Sequence, residues 1–338
     1  MRKRYLFAGL SGVVAGVVAT KLLSRPRDVS WPDSIDLISH PEYSWFTQVD
    51  GVRVHYQDAG DENAPVLILI HGFISTTLVW SEVFLPLADA GFRVIAIDLP
   101  GYGYSEKPSH ARYTIDEQAH AVVSVMNQLG INTATIIGAS YGGAIAATIA
   151  LDYPERVDRL VLVGTVSSDE PKKKLLLRIL QIPIVGDITT PLYLGSRWTL
   201  RKRMEDMYRR CGKPVDERML AARHHVLATS NMQRAMIRTV RRWKADRIQR
   251  QASLIAAPTL LVWGEDDRHI PISGALLLRD AIPDSRLVLF KNCGHLPPTE
   301  YPEKFVELVA EFCTETNTRT QEISASGFEE RKKSESRL

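Results

Sequence analysis

The segment Gly138-Ala139-Ser140-Tyr141-Gly142-Gly143 sets a serine between glycines two residues before and two residues after it. It follows the apolar stretch Thr133 to Ile137 and opens a helical pattern at Tyr141. A strand-to-helix turn this sharp strains the serine backbone, and the flanking glycines remove side chains that would collide there. The turn lifts the hydroxyl clear of a sheet, at a helix N-terminus whose dipole favours developing negative charge. Near neutral pH a serine hydroxyl needs a base to become nucleophilic, and the base needs an orienting partner. Ser140 is the expected nucleophile.

Nine histidines compete for the role of base. His295 stands out because Asn292-Cys293-Gly294-His295 follows a strand ending at Phe290 and precedes the last helical pattern. In a parallel sheet that is the same edge as Ser140. His71 also lies at a strand end, but beside Gly72-Phe73, where a backbone role suits it better. His224 and His225 read as a solvated helix face. For the orienting acid, Leu261-Val262-Trp263-Gly264 runs into Glu265-Asp266-Asp267, with Pro271 beyond. All three carboxylates fall at the correct edge, and spacing alone does not choose among them. Asp169, after the preceding strand, is a further candidate, and three adjacent acids also fit a solvated turn.

The elements that must position these residues alternate. Val52 to Tyr56 alternates like a strand with one wet face. Val66 to Ile70, Arg93 to Ile97, Thr133 to Ile137, Leu160 to Val163, Thr259 to Trp263 and Leu287 to Phe290 are short unbroken apolar runs. Strands covered on both faces have that character. Helical patterns separate them at Leu78 to Ala90, Ile115 to Leu129, Tyr141 to Asp152, Ser273 to Ala281 and Pro302 to Cys313. The alternation predicts an α/β fold, a mostly parallel doubly wound sheet.

One interval interrupts it. Asp169 to Pro258 holds no convincing strand, only helical stretches broken by Pro183, Pro191, Gly195, Gly212 and Pro214. We expect a helical cap over the sheet at about residues 169–257. That interval, counted to Pro258, carries 20 Lys and Arg against 8 Asp and Glu, a net +12 that leaves −9 for the rest of the chain. The Ser-, Thr- and Glu-rich residues 314–338 read as a disordered tail.

The chain has 338 residues, 45% of them hydrophobic and 24% charged, an ordinary globular composition. A net charge of +3, with no basic motif, argues against nucleic acid as a partner. Cys211, Cys293 and Cys313 are widely spaced and odd in number, so neither a disulfide framework nor a metal pair is expected. Met1-Arg2-Lys3-Arg4 is followed by sixteen uncharged residues, Tyr5 to Thr20. This start predicts an N-terminal membrane anchor within residues 1–23, with a cleaved signal as the alternative. A Pro- and Ser-containing linker follows at residues 24–44, and the folded domain at 45–313. The anchor, with Asp28 tilting the charge balance, predicts a membrane-attached domain on the far side of the bilayer. The basic cap would supply a second membrane contact.

The motifs converge on one family. His71-Gly72-Phe73, Asp98-Leu99-Pro100-Gly101-Tyr102-Gly103-Tyr104-Ser105, Gly138 to Gly143, Gly264 to Pro271 and Gly294-His295 resemble the α/β-hydrolases in kind and in order. The resemblance spans roughly Trp45 to Cys313. It implies that the acid lies three residues after Gly264, at Asp267, and that the backbone N–H groups of Phe73 and Tyr141 form an oxyanion hole. Asp98 fixes a turn on this reading, while Tyr102 and Tyr104 line the pocket. Serine in place of the aspartate nucleophile of related epoxide hydrolases and haloalkane dehalogenases points to acyl transfer to water. The expected reaction is carboxylic-ester cleavage through an acyl-enzyme, the partner a small-molecule acyl substrate, lipid included, with no metal or organic cofactor. Some serine members cleave carbon–carbon bonds of diketo acids, and that reading stays open beside a non-catalytic binding protein on the same fold.

Overall fold

The computed structural model describes residues 25–170 and 174–315. Eight strands form one sheet: β1 (Ser44–Val49), β2 (Val52–Ala59), β3 (Val66–Ile70), β4 (Arg93–Ile97), β5 (Ala134–Ala139), β6 (Val157–Val163), β7 (Thr259–Gly264) and β8 (Ser285–Phe290). Their order across the sheet is β1-β2-β4-β3-β5-β6-β7-β8. The β1–β2 and β2–β4 pairs are antiparallel, and every other neighbouring pair is parallel. β5 and β7 are buried along their whole length, which explains why they read as unbroken apolar runs.

Twelve α-helices accompany the sheet among the described residues. α1 (Phe84–Asp89), α2 (Ile115–Gln128) and α3 (Tyr141–Asp152) alternate with the strands. α2 starts where Thr114 and Glu117 exchange hydrogen bonds between side chain and backbone, the reciprocal cap that its sequence permits. Between β6 and β7 come α4 (Leu175–Gln181), α5 (Val185–Leu194), α6 (Arg197–Tyr208), α7 (Glu217–Leu227), α8 (Ser230–Arg242) and α9 (Asp246–Gln251), with no strand among the described residues. α10 (Ile272–Ala281), α11 (Pro297–Glu300) and α12 (Pro302–Thr314) complete the order.

The helical insertion touches the loops that leave the carboxyl ends of the central strands. The Tyr102 hydroxyl, after β4, donates to Thr239 Oγ1 on α8 at 2.9 Å. Trp243, just beyond α8, packs its ring against Tyr141 at 4.9 Å and Phe73 at 5.9 Å. Residues 25–43 run between insertion and sheet and are bonded to both. Ser230 N and Asn231 N donate to Pro26 O and Arg27 O, each at 2.9 Å, and Gln57 Nε2 on β2 donates to Ser39 O at 2.5 Å; Asp28 also pairs with buried Lys107, in the loop after β4, at 2.7 Å.

Two expectations need correction. Among the described residues no helix is long and apolar enough to cross a membrane, so the membrane-anchored placement is withdrawn. The anchor was expected at residues 1–23, which lie outside the described residues, as does most of the expected tail at 316–338. Tyr104 was expected to line a pocket, but it is buried edge-on against Trp31 and also packs against His55. Tyr102 is fully buried too.

Candidate active site

Ser140 adopts φ 57° and ψ −114°, a conformation that costs of order 1–3 kcal/mol for a residue with a side chain. The surroundings enforce it. A Cβ on Gly138 would run into the Gly142 carbonyl, and one on Gly142 would run into the carbonyls of Ile70 and His71. Ser140 N donates to Val163 O at 2.8 Å, and Val166 N donates to Ser140 O at 3.1 Å, so both sides of the turn are tied to the end of β6. Ser140 remains partly exposed while its neighbours in the elbow are buried.

His295 and Asp267 meet. His295 Nδ1 lies 2.7 Å from Asp267 Oδ2, with the aspartate side chain fully buried and the histidine 14% exposed. Asp267 Oδ1 accepts the N–H groups of His269 at 2.7 Å and Ile270 at 3.0 Å. Burial alone would raise this carboxyl; the His295 ring and the two N–H groups outweigh it and hold Asp267 below its usual range. Its rivals face elsewhere. Asp266 is half exposed and pairs with Arg210 at 3.4 Å, Glu265 is exposed, and Asp169 accepts the Ala245 N–H at 2.7 Å.

Gly164 connects the dyad to the serine. It follows Val163, which holds Ser140 N, and a Cβ on it would stand 3.0 Å from His295 Nδ1. In this structure Ser140 and His295 share that neighbour and make no direct hydrogen bond to each other. Gly72 packs on the other flank, where a Cβ would lie 3.1 Å from Ala139 O and from Ser140 Cβ. The turn carrying Phe73 therefore runs alongside the nucleophile. Tyr141 is the first residue of α3, where a backbone N–H has no partner within the helix.

His71 takes the backbone role. Its Nδ1 lies 2.9 Å from Gly72 O, and its Nε2 accepts Leu99 N at 3.1 Å, a pattern that assigns the proton to Nδ1. Burial lowers its pKa, which suits a neutral ring. His224 and His225 stand apart from the dyad, His224 on Gly195 O and His225 on Ser34 Oγ, each at 2.9 Å. Cys293 is buried, and burial, followed by Glu300, pushes its thiol pKa up, away from reactivity. No group of three or more His, Cys, Asp and Glu able to hold a metal ion occurs among the described residues.

Sequence reasoning passed over two residues near the site. Arg223 on α7 lines a small cavity with Ile74, Ser75, Thr76, Val226 and Leu227, beside the Phe73 turn. Its Nε and Nη2 are shut off from solvent without a hydrogen-bond partner. Glu300 is 1% exposed and accepts the backbone N–H groups on either side of His295. Neither carries a sequence signal, since one is an arginine in a basic segment and the other an acid near a helix end.

The sequence matches the α/β hydrolase fold family over residues 65–300. The chain belongs to that family. A 2-hydroxy-6-oxononadienedioate/2-hydroxy-6-oxononatrienedioate hydrolase from Burkholderia vietnamiensis is 32% identical over 272 residues, covering 77% of this chain and 91% of the relative. A 2-hydroxymuconate semialdehyde hydrolase from a Pseudomonas species is 30% identical, covering 79% and 92%. Among solved structures, a bacterial membrane phospholipase A described as a virulence factor superposes with TM-score 0.69 at 27% identity, covering 93% of this chain and 98% of that one.

Proposed function

We propose that the protein is a serine hydrolase cleaving carboxylic esters through an acyl-enzyme at Ser140. The carrying observation is the His295–Asp267 hydrogen bond of 2.7 Å, held at the sheet edge where Ser140 is strained outward. In the proposed cycle Ser140 Oγ attacks the ester carbonyl and passes its proton to His295 Nε2. Asp267 keeps the Nδ1 proton in place and stabilises the imidazolium. The N–H groups of Phe73 and Tyr141 receive the developing oxyanion. His295 then protonates the leaving alcohol, and a water repeats the sequence to release the acid. The helical insertion acts as the cap. It exposes Leu175, Ile182, Ile184, Ile188, Leu192 and Trp198 close in sequence to exposed Lys174, Arg178, Arg197 and Lys202. These residues support an amphiphilic acyl substrate presented at a negatively charged lipid surface.

Arg223 favours a second reading, carbon–carbon hydrolysis of a keto acid. A guanidinium with buried, unpartnered N–H groups is costly unless an anion completes it. Arg203 is also held below its usual range, by burial first and by Arg223 as well. A substrate carboxylate would satisfy such a pair, and both relatives above are named for acidic substrates.

One experiment separates the readings. Wild type, Ser140→Ala and Arg223→Met are assayed on p-nitrophenyl esters of graded chain length and on a 2-hydroxy-6-oxo-dienoate. Ester turnover that rises with chain length and survives Arg223→Met supports the first. Dienoate turnover without ester turnover, lost in Arg223→Met through a raised KM, replaces it with the second.

A further inference from the structure

Glu300 is a carboxyl group in the interior whose partners are backbone N–H groups and the Cys293 thiol, and among the described residues it makes no ion pair. Burying such a group is unfavourable unless hydrogen bonds satisfy it, so its surroundings show what it is there to hold. Gly294 N donates to Oε2 at 2.7 Å, and Leu296 N donates to Oε1 at 3.1 Å. These are the N–H groups of the two residues that flank His295. α11, which carries Glu300, is itself anchored: Thr299 Oγ1 donates to Val79 O at 3.2 Å, and Lys213 Nζ donates to Thr299 O at 3.0 Å. From the sheet side, Asp266 N donates to Cys293 O at 2.9 Å, and a Cβ on Gly264 would strike the carbonyls of Cys293 and Gly294.

We propose that Glu300 is a positioning residue for the catalytic histidine, its two oxygens straddling the His295 backbone so that the ring stays aligned with Asp267. This rests on the reading of His295 as the base. The loop from Cys293 to Leu296 is thus held from two directions, by the acid loop after β7 and by Glu300 from α11. Without the second hold, residues 294–296 keep two N–H groups turned to the interior with no acceptor. Rotation to satisfy them carries the imidazole off Asp267. Gly294 has a matching reason to be glycine, because a Cβ there would stand 3.1 Å from Glu300 Oε1 and crowd the clamp.

The test uses the full chain with Glu300→Gln and Glu300→Asp. Gln keeps one acceptor oxygen but points an amide N–H₂ at the other peptide group, and Asp is too short to reach both. For each variant, active-site titration with a fluorophosphonate gives the folded, reactive fraction, and kcat is expressed per titrated site. Glu300→Gln should lower kcat per site on the order of 10-fold to 100-fold, with KM nearly unchanged, as loss of alignment predicts. Glu300→Asp should fall between Gln and wild type. The downfield proton resonance of the His295 Nδ1–H to Asp267 bond, which needs no substrate, should weaken in the same order. Wild-type kcat per site with an intact downfield proton in Glu300→Gln would overturn the proposal, as would a loss confined to the titrated fraction. If wild type shows the downfield proton but resists the fluorophosphonate, the hydrolase reading fails while the resonance still reports whether Glu300 holds the ring.

Discussion

Among the described residues, two largely buried histidine–aspartate pairs are built almost alike. His55 Nδ1 lies 2.8 Å from Asp98 Oδ2, and His295 Nδ1 lies 2.7 Å from Asp267 Oδ2. Each aspartate also accepts two backbone N–H groups: Thr77 and Tyr104 on Asp98, His269 and Ile270 on Asp267. What differs is the far side of the imidazole. His55 is fully buried among Trp31, Phe46 and Tyr104, and its Nε2 has no partner. His295 keeps some exposure and sits against Gly164, next to the strand end that holds Ser140. An Asp–His pair is therefore not a catalytic feature in itself. Access to Nε2, and a nucleophile at the same edge, separate the candidate base from a structural histidine.

Asp267→Asn should break the comparison most strongly, lowering kcat by ~10⁴-fold while the fold survives, by analogy with loss of the orienting acid in other triads. His55→Gln should do the reverse. Chemical denaturation should show a loss of about 1–3 kcal/mol, since a buried polar contact is broken, with turnover per titrated site unchanged. A large kcat loss in His55→Gln at full titre would erase the distinction.

Acid titration should make the pairs look alike again. Burial alone would raise both carboxyls, but His55 for Asp98 and His295 for Asp267, with the backbone N–H groups, hold both below the ordinary range. A depressed folded-state pKa stabilises the protein above the unfolded value, near 3.9, and that stability is lost as pH falls through the folded-state value. Unfolding free energy should therefore drop on acidification below about pH 4, and Asp98→Asn and Asp267→Asn should each flatten the drop. The smallest effect belongs to Asp266→Asn. Its half-exposed contact with Arg210 contributes no more than ~1 kcal/mol, and turnover per titrated site should not change.

The fold was readable because its central strands are buried on both faces and α3 begins at the elbow. The helical pattern from Tyr141 to Asp152 coincides with α3. β1 escaped notice. Ser44–Val49 is an edge strand whose residues follow no strict alternation, so periodicity had nothing to detect. In the site, motif order suffices to bring Ser140 and His295 to one sheet edge, but Glu265, Asp266 and Asp267 differ only in where the turn after β7 aims them. That is a property of backbone path, visible in the His269 and Ile270 hydrogen bonds; in the sequence only the motif resemblance, three residues after Gly264, singles out Asp267. Glu300 and Arg223 were hidden for the same reason, because their meaning lies in partners distant in the chain or in the lack of them.

The central claim is that Ser140 is the nucleophile which the His295–Asp267 dyad serves. Its most direct test is reaction of the full chain with a fluorophosphonate, followed by digestion and mass mapping of the adduct. The account predicts one adduct per chain, on the peptide containing Ser140, absent in Ser140→Ala and strongly slowed in His295→Ala. Labelling of Ser140→Ala at the wild-type rate, or an adduct mapped to another residue, would contradict it.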